Sequence, residues 1–470
     1  MKRTRLGLAI ALVSSSLSMP ALAHSDASYS GFPITVKDYK GDKKSSVAYS
    51  GQIARHALHD SLKKLSARGN GMPNAELKAQ MMAYYAGKDA GRKIIAPATK
   101  GDFVVKQSTV DELSKGKNLK GKTYGGAVSA WPGNMTGSEV IEFWIDKASA
   151  ANKGFDPLTG LDYTQLISKF LMGAVFYNQA VDNYLDEKLD AGTKPNGKPY
   201  KDGTPYTGKE HVWDEAFGYF GVPAHALSLD AKTVYSIAKQ KPESVKSADA
   251  NGDKMIDLKS EMVFAHGYYA AGADKSGNSN YMHTITEAFI DGRQLITKAN
   301  GKNLTDQQRE ELKAYADVIR TNWEKVIAEA AFKYAGSVYK DALALQDAVD
   351  NNGDLQKTFR TYAKHWGELK GFAMALQVSG KDLGVTAVKL NRLIGASPVL
   401  LGNTQVSGID NDGNYIQSPS VSLEEYALNM IEVQKLLNDT FGLQAKANDQ
   451  LDKLSKLAEK LSNTSSAEND

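Results

Sequence analysis

The chain has 470 residues, with 57 Lys and Arg against 54 Asp and Glu and no cysteine. The missing thiols exclude disulfides, thiolate metal sites, cysteine nucleophiles and a lipid anchor on cysteine. The balanced charge, without a clustered Lys/Arg footprint, excludes a nucleic-acid partner.

Met1-Lys2-Arg3-Thr4-Arg5, an apolar run from Leu6 to Val13, and Ala21-Leu22-Ala23 before His24 predict a secretory signal over 1–23, cleaved after Ala23. Its removal leaves 54 basic against 54 acidic residues, so the mature chain is neutral. No later stretch approaches the ~20 apolar residues of a spanning helix. A periplasmic or secreted protein is expected.

Residues 24–45 are polar and receive no fold. Ile53, Ala57, Leu58, Leu62 and Leu65 follow helical spacing from Tyr49, and Ala75 to Tyr85 continues as a second amphipathic helix. His56 and His59, at i and i+3 on the first of these, are expected to face solvent. Gly/Pro turns break 121–162 around one helix near 139–151, and a long helix is expected over 163–189. A Gly/Pro/Lys-rich surface loop follows over 191–208.

Then comes the segment Trp213-Asp214-Glu215-Ala216-Phe217-Gly218-Tyr219, echoed by Trp366-Gly367-Glu368-Leu369-Lys370-Gly371-Phe372. Both reduce to W-x-E-x-x-G-aromatic, and flanking text agrees more weakly. The echo predicts an internal duplication and, with a length beyond the roughly 250–300 residues at which single cores stop growing, two similar helical bundles, 46–275 and 276–463. On the first copy His211 and Glu215 share a face at i, i+4, while the second has Lys364 four before Glu368. The repeated cation/acid pair favours a structural role. The imidazole beside Asp214 and Glu215 nevertheless makes His211, Trp213, Asp214 and Glu215, with Trp366 and Glu368, the candidate ligand-binding set, for iron or another transition metal or a small ligand between the bundles. His266 is the one other histidine singled out.

Asp249, Asn251, Asp253, Met255 (through its carbonyl), Asp257 and Glu261 reproduce the alternating oxygen spacing of a calcium-type loop. Lys254 replaces the usual sixth-position glycine and Glu261 falls one residue late, so structural calcium of reduced affinity is expected. In the second half, helices are predicted at 281–299, 306–349, 354–379, 384–398, 423–439 and 445–463, with capping boxes at Thr305 and Ser422, a turn at Gly408–Gly413 and a polar tail from 464. Period-2 alternation is scarce, which predicts an all-α fold.

Tyr49-Ser50-Gly51-Gln52, Leu171-Met172-Gly173-Ala174-Val175-Phe176-Tyr177, the block from His211 to Tyr219, the acidic loop and His365-Trp366-Gly367-Glu368 together resemble a family of exported bacterial proteins known chiefly as a domain of unknown function, distantly similar to imelysins. The resemblance spans about Gly31 to Leu461. It implies a two-bundle helical fold in the envelope of Gram-negative bacteria, in a setting of iron acquisition, with no established enzymatic activity. The imelysin hallmark G-x-H-x-x-E is absent, so those ligands do not carry over. The function expected is an exported helical binding protein for a metal or small ligand, with an envelope protein as a further partner. The alternatives are a metal-dependent, peptidase-like hydrolase with Glu215 as general base, and a calcium-stabilised interaction module.

Overall fold

The computed structural model describes residues 28–454 together with Lys456 and Glu459. The expected signal over 1–23 and the tail 464–470 lie outside the described residues. The chain is mostly helical: α1 (Ser50–Ser66), α2 (Ala75–Tyr85), α3 (Val110–Leu113), α4 (Gly137–Ala150), α5 (Tyr163–Leu171), α6 (Gly208–Phe220), α7 (Ala231–Ala238) and α8 (Val245–Ala248) occupy the first half. After them come α9 (Ala265–Asp274), still before the 275/276 boundary, and then α10 (Tyr281–Lys298), α11 (Asp306–Asp350), α12 (Leu355–Ala375), α13 (Gly384–Ile394) and α14 (Leu423–Phe441).

The long helix expected over 163–189 is present but not uniform. It leaves α5 and widens to i→i+5 bonding over Met172–Tyr177 and Gln179–Glu187. Such widening gathers where a helix serves a site or an irregular packing surface. At the other marked starts, Thr305 forms a capping box with Gln308, and Ser422 Oγ accepts from the Glu425 amide.

Two antiparallel hairpins qualify the all-α expectation: β1 (Phe155–Asp156) with β2 (Leu161–Asp162), and β3 (Thr404–Ile409) with β4 (Tyr415–Pro419) around the predicted turn. Of the six residues in β3 only Val406 is buried, so the alternation that announces a strand is nearly absent. The second hairpin is held by side chains: Tyr415 packs edge-on against Trp131 and Phe143, and Gln417 donates to the Leu158 carbonyl at 3.0 Å. It thereby seats the irregular 121–162 stretch on the bundle.

The helix expected from 445 does not begin there. Glu329, on α11, accepts the backbone amides of Gln444, Ala445 and Lys446 at 2.7–2.8 Å, and Gln434 ties down Asn448 and Gln450. Lys446 and Asn448 take positive φ of 41° and 63°. A buried carboxylate offering several acceptor positions has outcompeted local helix propensity.

α1 also departs from expectation. It is packed by α2, α4, α5 and α6 and is buried nearly all round, so His56 and His59 point inward, not to solvent. His56 Nε2–H donates to the Gly218 carbonyl at 3.1 Å; His59 bonds the Ser168 carbonyl and Asp60, both at 2.9 Å. α11 packs on α10, α12 and α14, while α12 packs on α5. One contiguous apolar cluster runs from Tyr29 to Ala445 across the 275/276 boundary.

Both signature glycines mark close helix approaches. A Cβ at Gly218 would stand 2.7 Å from Tyr49 Cβ, and one at Gly371 would stand 2.5 Å from Lys169 Cβ. Gly371→Val is therefore expected to cost about 1–3 kcal/mol through overpacking of α12 on α5. A urea midpoint unchanged from that of the native chain would show that this contact yields freely.

Candidate functional site

α6 begins at a capping box, where Thr207 Oγ1 accepts from the Glu210 amide at 3.2 Å and Glu210 accepts from the Thr207 amide at 2.8 Å; it ends at Gly221, φ 84°. Its apolar stripe buries Trp213 and Phe217, and the Trp213 indole N–H donates to the Phe289 carbonyl at 2.8 Å. Asp214 accepts from Arg293 Nε at 2.9 Å, the Tyr29 hydroxyl at 3.0 Å and the Ala48 amide at 3.0 Å. Arg293 also donates to Glu210 at 3.0 Å, and all three charged side chains are 0 % exposed. Burial pushes the Asp214 carboxyl up to about 6 against the pull of Arg293. With three donors on its two oxygens, Asp214 is the ionised partner of the guanidinium at neutral pH. Trp213 and Asp214 are consumed in packing.

His211 packs against the rings of both Tyr200 and Tyr206, at 4.2 and 4.6 Å. Its Nε2 is 3.7 Å from Glu215, an ion-pair separation too long for a hydrogen bond, and its Nδ1 has no hydrogen-bond partner among the described residues. Burial lowers its basicity, with Glu215 pulling the other way. Glu215 accepts from Gln52 Nε2 at 2.8 Å. The pair offers one neutral imidazole and one carboxylate. Among the described residues, no three His, Asp or Glu side chains are gathered so as to hold a metal.

Glu368 does not join that pair. Trp366 mirrors Trp213 by donating from its indole, here to the Tyr426 hydroxyl at 2.9 Å and the Ile394 carbonyl at 3.3 Å. Glu368 accepts from the Tyr334 hydroxyl at 3.1 Å and faces Lys169 Nζ at 3.8 Å. These groups line a cavity of about 370 Å³ where α1, α5, α7 and α9 meet α11 and α12. A second cavity of about 630 Å³ adjoins it across Tyr268, Tyr269 and Lys333, which line both, and the two are called the cleft below.

Of the cleft's lysines only Lys364 stood out in the sequence, although Lys169 interrupts the apolar run Leu166-Ile167-Ser168-Lys169-Phe170-Leu171 and is only 3 % exposed. A lone charge in such a run is the signal that could have found it. Lys63 joins it from α1. Burial, reinforced by Lys169, brings the Lys63 amine down to about 7; burial also lowers Lys169, opposed by Glu368. His365, three residues before Glu368, lines the same cavity and bonds Asp341 at 2.6 Å.

The acidic loop is a tight coil of side-chain turns. Asp249 accepts the amides of Asp253 and Lys254, Asn251 that of Asp253, and Asp253 that of Met255. Glu261 accepts the amides of Ala250, Asn251 and Asp257, while Asp257 accepts from Gln107 Nε2 and Asp253 pairs with Lys106. Lys254 takes φ 64°, the left-handed turn a sixth-position glycine usually makes.

No curated protein and no solved structure matches the chain. A family model described as "Domain of unknown function (DUF4856)" matches residues 144–386, which run from within α4 into α13 and hold both signature helices, the acidic loop and nearly all of the cleft's lysines. The chain belongs to that domain family of unknown function, DUF4856.

Proposed function

We propose that this is an exported, non-enzymatic binding protein that holds a small ligand in the cleft where the helices of the two sequence halves meet, beside Glu368. The carrying observation is the cleft itself: two adjoining cavities, walled by tyrosines, the smaller one floored by the almost fully buried Lys169–Glu368 pair. Concave sites of roughly 300–1,000 Å³ with a few convergent polar groups suit small molecules. Export after Ala23, duplication of a helical bundle and kinship with imelysins belong to the same reading. In native mass spectrometry, protein purified from its envelope fraction is expected to carry one small molecule and to begin at His24. Ala238→Trp, which projects a ring into the smaller cavity, should lack that mass. Iron that follows His211→Ala and ignores Ala238→Trp would move the site to α6.

Calcium at 249–261 is a second reading, favoured by the sixth-position turn at Lys254 and by the pairing of Ile256 with Val105, which fixes the loop's exit. Asp249, Asn251, Asp253, Asp257 and Glu261 would supply side-chain oxygens and Met255 its carbonyl. With calcium a hundredfold above its dissociation constant, chelation should cost about 2.7 kcal/mol. Asp249→Ala should abolish that response. A melting curve indifferent to chelator in the native chain would end the calcium reading.

A further inference from the structure

The charge lining the cleft is far from the balance of the whole chain. Among the described residues, eight lysines face its two cavities against three carboxylates, Asp60, Glu329 and Glu368. Those acids are already engaged. Asp60 bonds His59, Glu329 accepts three backbone amides and the Tyr281 hydroxyl, and Glu368 accepts from Tyr334.

The amines of Lys63 and Lys169 lie close together, with Glu368 as their near counterion, 3.8 Å from Lys169 Nζ. Placing like cations together away from water is unfavourable unless a further negative charge compensates. Lys333 lies on the wall common to both cavities. In the larger cavity Tyr235 and Tyr268 stack at 5.0 Å and 24°, with Lys239 and Lys275 over their faces. The lysines run from an exposed rim (Lys232, Lys239, Lys241, Lys333 and Lys364) through the half-buried Lys63 and Lys275 to the buried Lys169, so the positive charge leads into a concavity, which fits a small anion better than a polyanionic chain.

Resting on the small-ligand reading above, we propose that the ligand is a small organic anion. Its carboxylate or other oxyanion head sits among Lys63, Lys169 and Lys333, and its apolar body lies beside the stacked Tyr235–Tyr268 pair. The lysine pair is then a site kept at a cost to the folded chain, and its energetics should show it.

The test uses 1-naphthoate and its uncharged counterpart 1-naphthamide, titrated calorimetrically into the full chain at low ionic strength. Naphthoate is expected to bind at least tenfold more tightly than naphthamide. In Lys169→Met the two should bind alike, whereas without ligand Lys63→Met, which keeps the Lys169–Glu368 pair, should melt no lower than the native chain, because an apolar stem replaces an amine crowded against another cation. A merely structural lysine would instead lose stability. Lys333→Met, at the cleft wall, serves as the second variant should Lys169→Met fail to fold, and it should narrow the preference similarly. Equal binding of the two probes to the native chain overturns the anion inference and leaves the small-ligand reading standing. Binding of neither overturns both. A naphthoate preference that survives both Lys169→Met and Lys333→Met also overturns the assignment to these lysines.

Discussion

Arg293→Met is expected to lower the unfolding free energy by about 3–5 kcal/mol, the range for removing one partner from a fully buried ion network. The substitution strands Glu210 and Asp214, both 0 % exposed, without their shared guanidinium. It also removes the donors to Ser46 and Thr297, at 2.5 and 2.6 Å, and the cation lying 4.8 Å from the Phe32 ring. The effect should reach beyond α6 and α10. Tyr29 and the Ala48 amide bond Asp214, and Thr35 bonds Glu210, so the same cluster fastens the entry segment to the bundle. In urea titrations the variant should lose stability, and hydrogen exchange over 28–48 should accelerate. Replacing Asp214 and Glu210 by Leu and Gln in the Arg293→Met background should recover part of the loss, since the buried carboxylates are what the single variant strands. A loss under about 1 kcal/mol would mean the network contributes little beyond its packing.

The second large effect is one of pH. His56 and His266 are 0 % exposed. Burial holds the His56 imidazole down to about 3 and His266 well below the usual histidine range. Neither His266 ring nitrogen meets a hydrogen-bond partner among the described residues, and its ring stands edge-on to Trp323 at 5.5 Å. Because these groups bind protons less readily folded than unfolded, their contribution is fully present above about pH 6.5. It is lost as pH falls through that value toward the folded one. Each should cost about 1.4 kcal/mol per pH unit in that window, hence about 2 kcal/mol between pH 6.5 and 5. Asp214, Asp162 and Glu324 are pushed up by burial and so act with the opposite sign. The informative quantity is accordingly the difference between the native chain and His266→Phe. The variant's stability should fall less steeply below pH 6.5, by one proton's worth, and should not decrease at pH 7.5, because no protein hydrogen bond is lost. Parallel pH profiles for the two proteins would show that His266 takes up its proton in the folded state.

Much of the helical framework was legible because its signals are local. The starts at Asp306 and Leu423 follow from side-chain caps at Thr305 and Ser422, and the predicted spans over 281–299, 306–349 and 354–379 match α10, α11 and α12 within a few residues. The failures share a cause of another kind. The chain after Gln444 follows Glu329 on a helix more than a hundred residues earlier, β3 lacks alternation because its partner and the insert around Trp131 stabilise it, and α1 looks amphipathic although its polar face is buried too.

The candidate site divides along the same line. Sequence alone located both signature helices and the acidic loop, because tryptophan, glycine and alternating oxygens at fixed spacing are short-range patterns. It also singled out Glu368, the one member of its ligand set that reaches the cleft. What only the tertiary structure decided was partnership: Asp214 belongs to Arg293, 79 positions away, His211 belongs to two tyrosines, and Glu368 belongs to Lys169 across the α5–α12 contact. A side chain's chemistry is written in its residue type, but its charge state, exposure and counterion depend on what packs beside it, and those neighbours are brought together by burial of apolar surface between helices far apart in the chain.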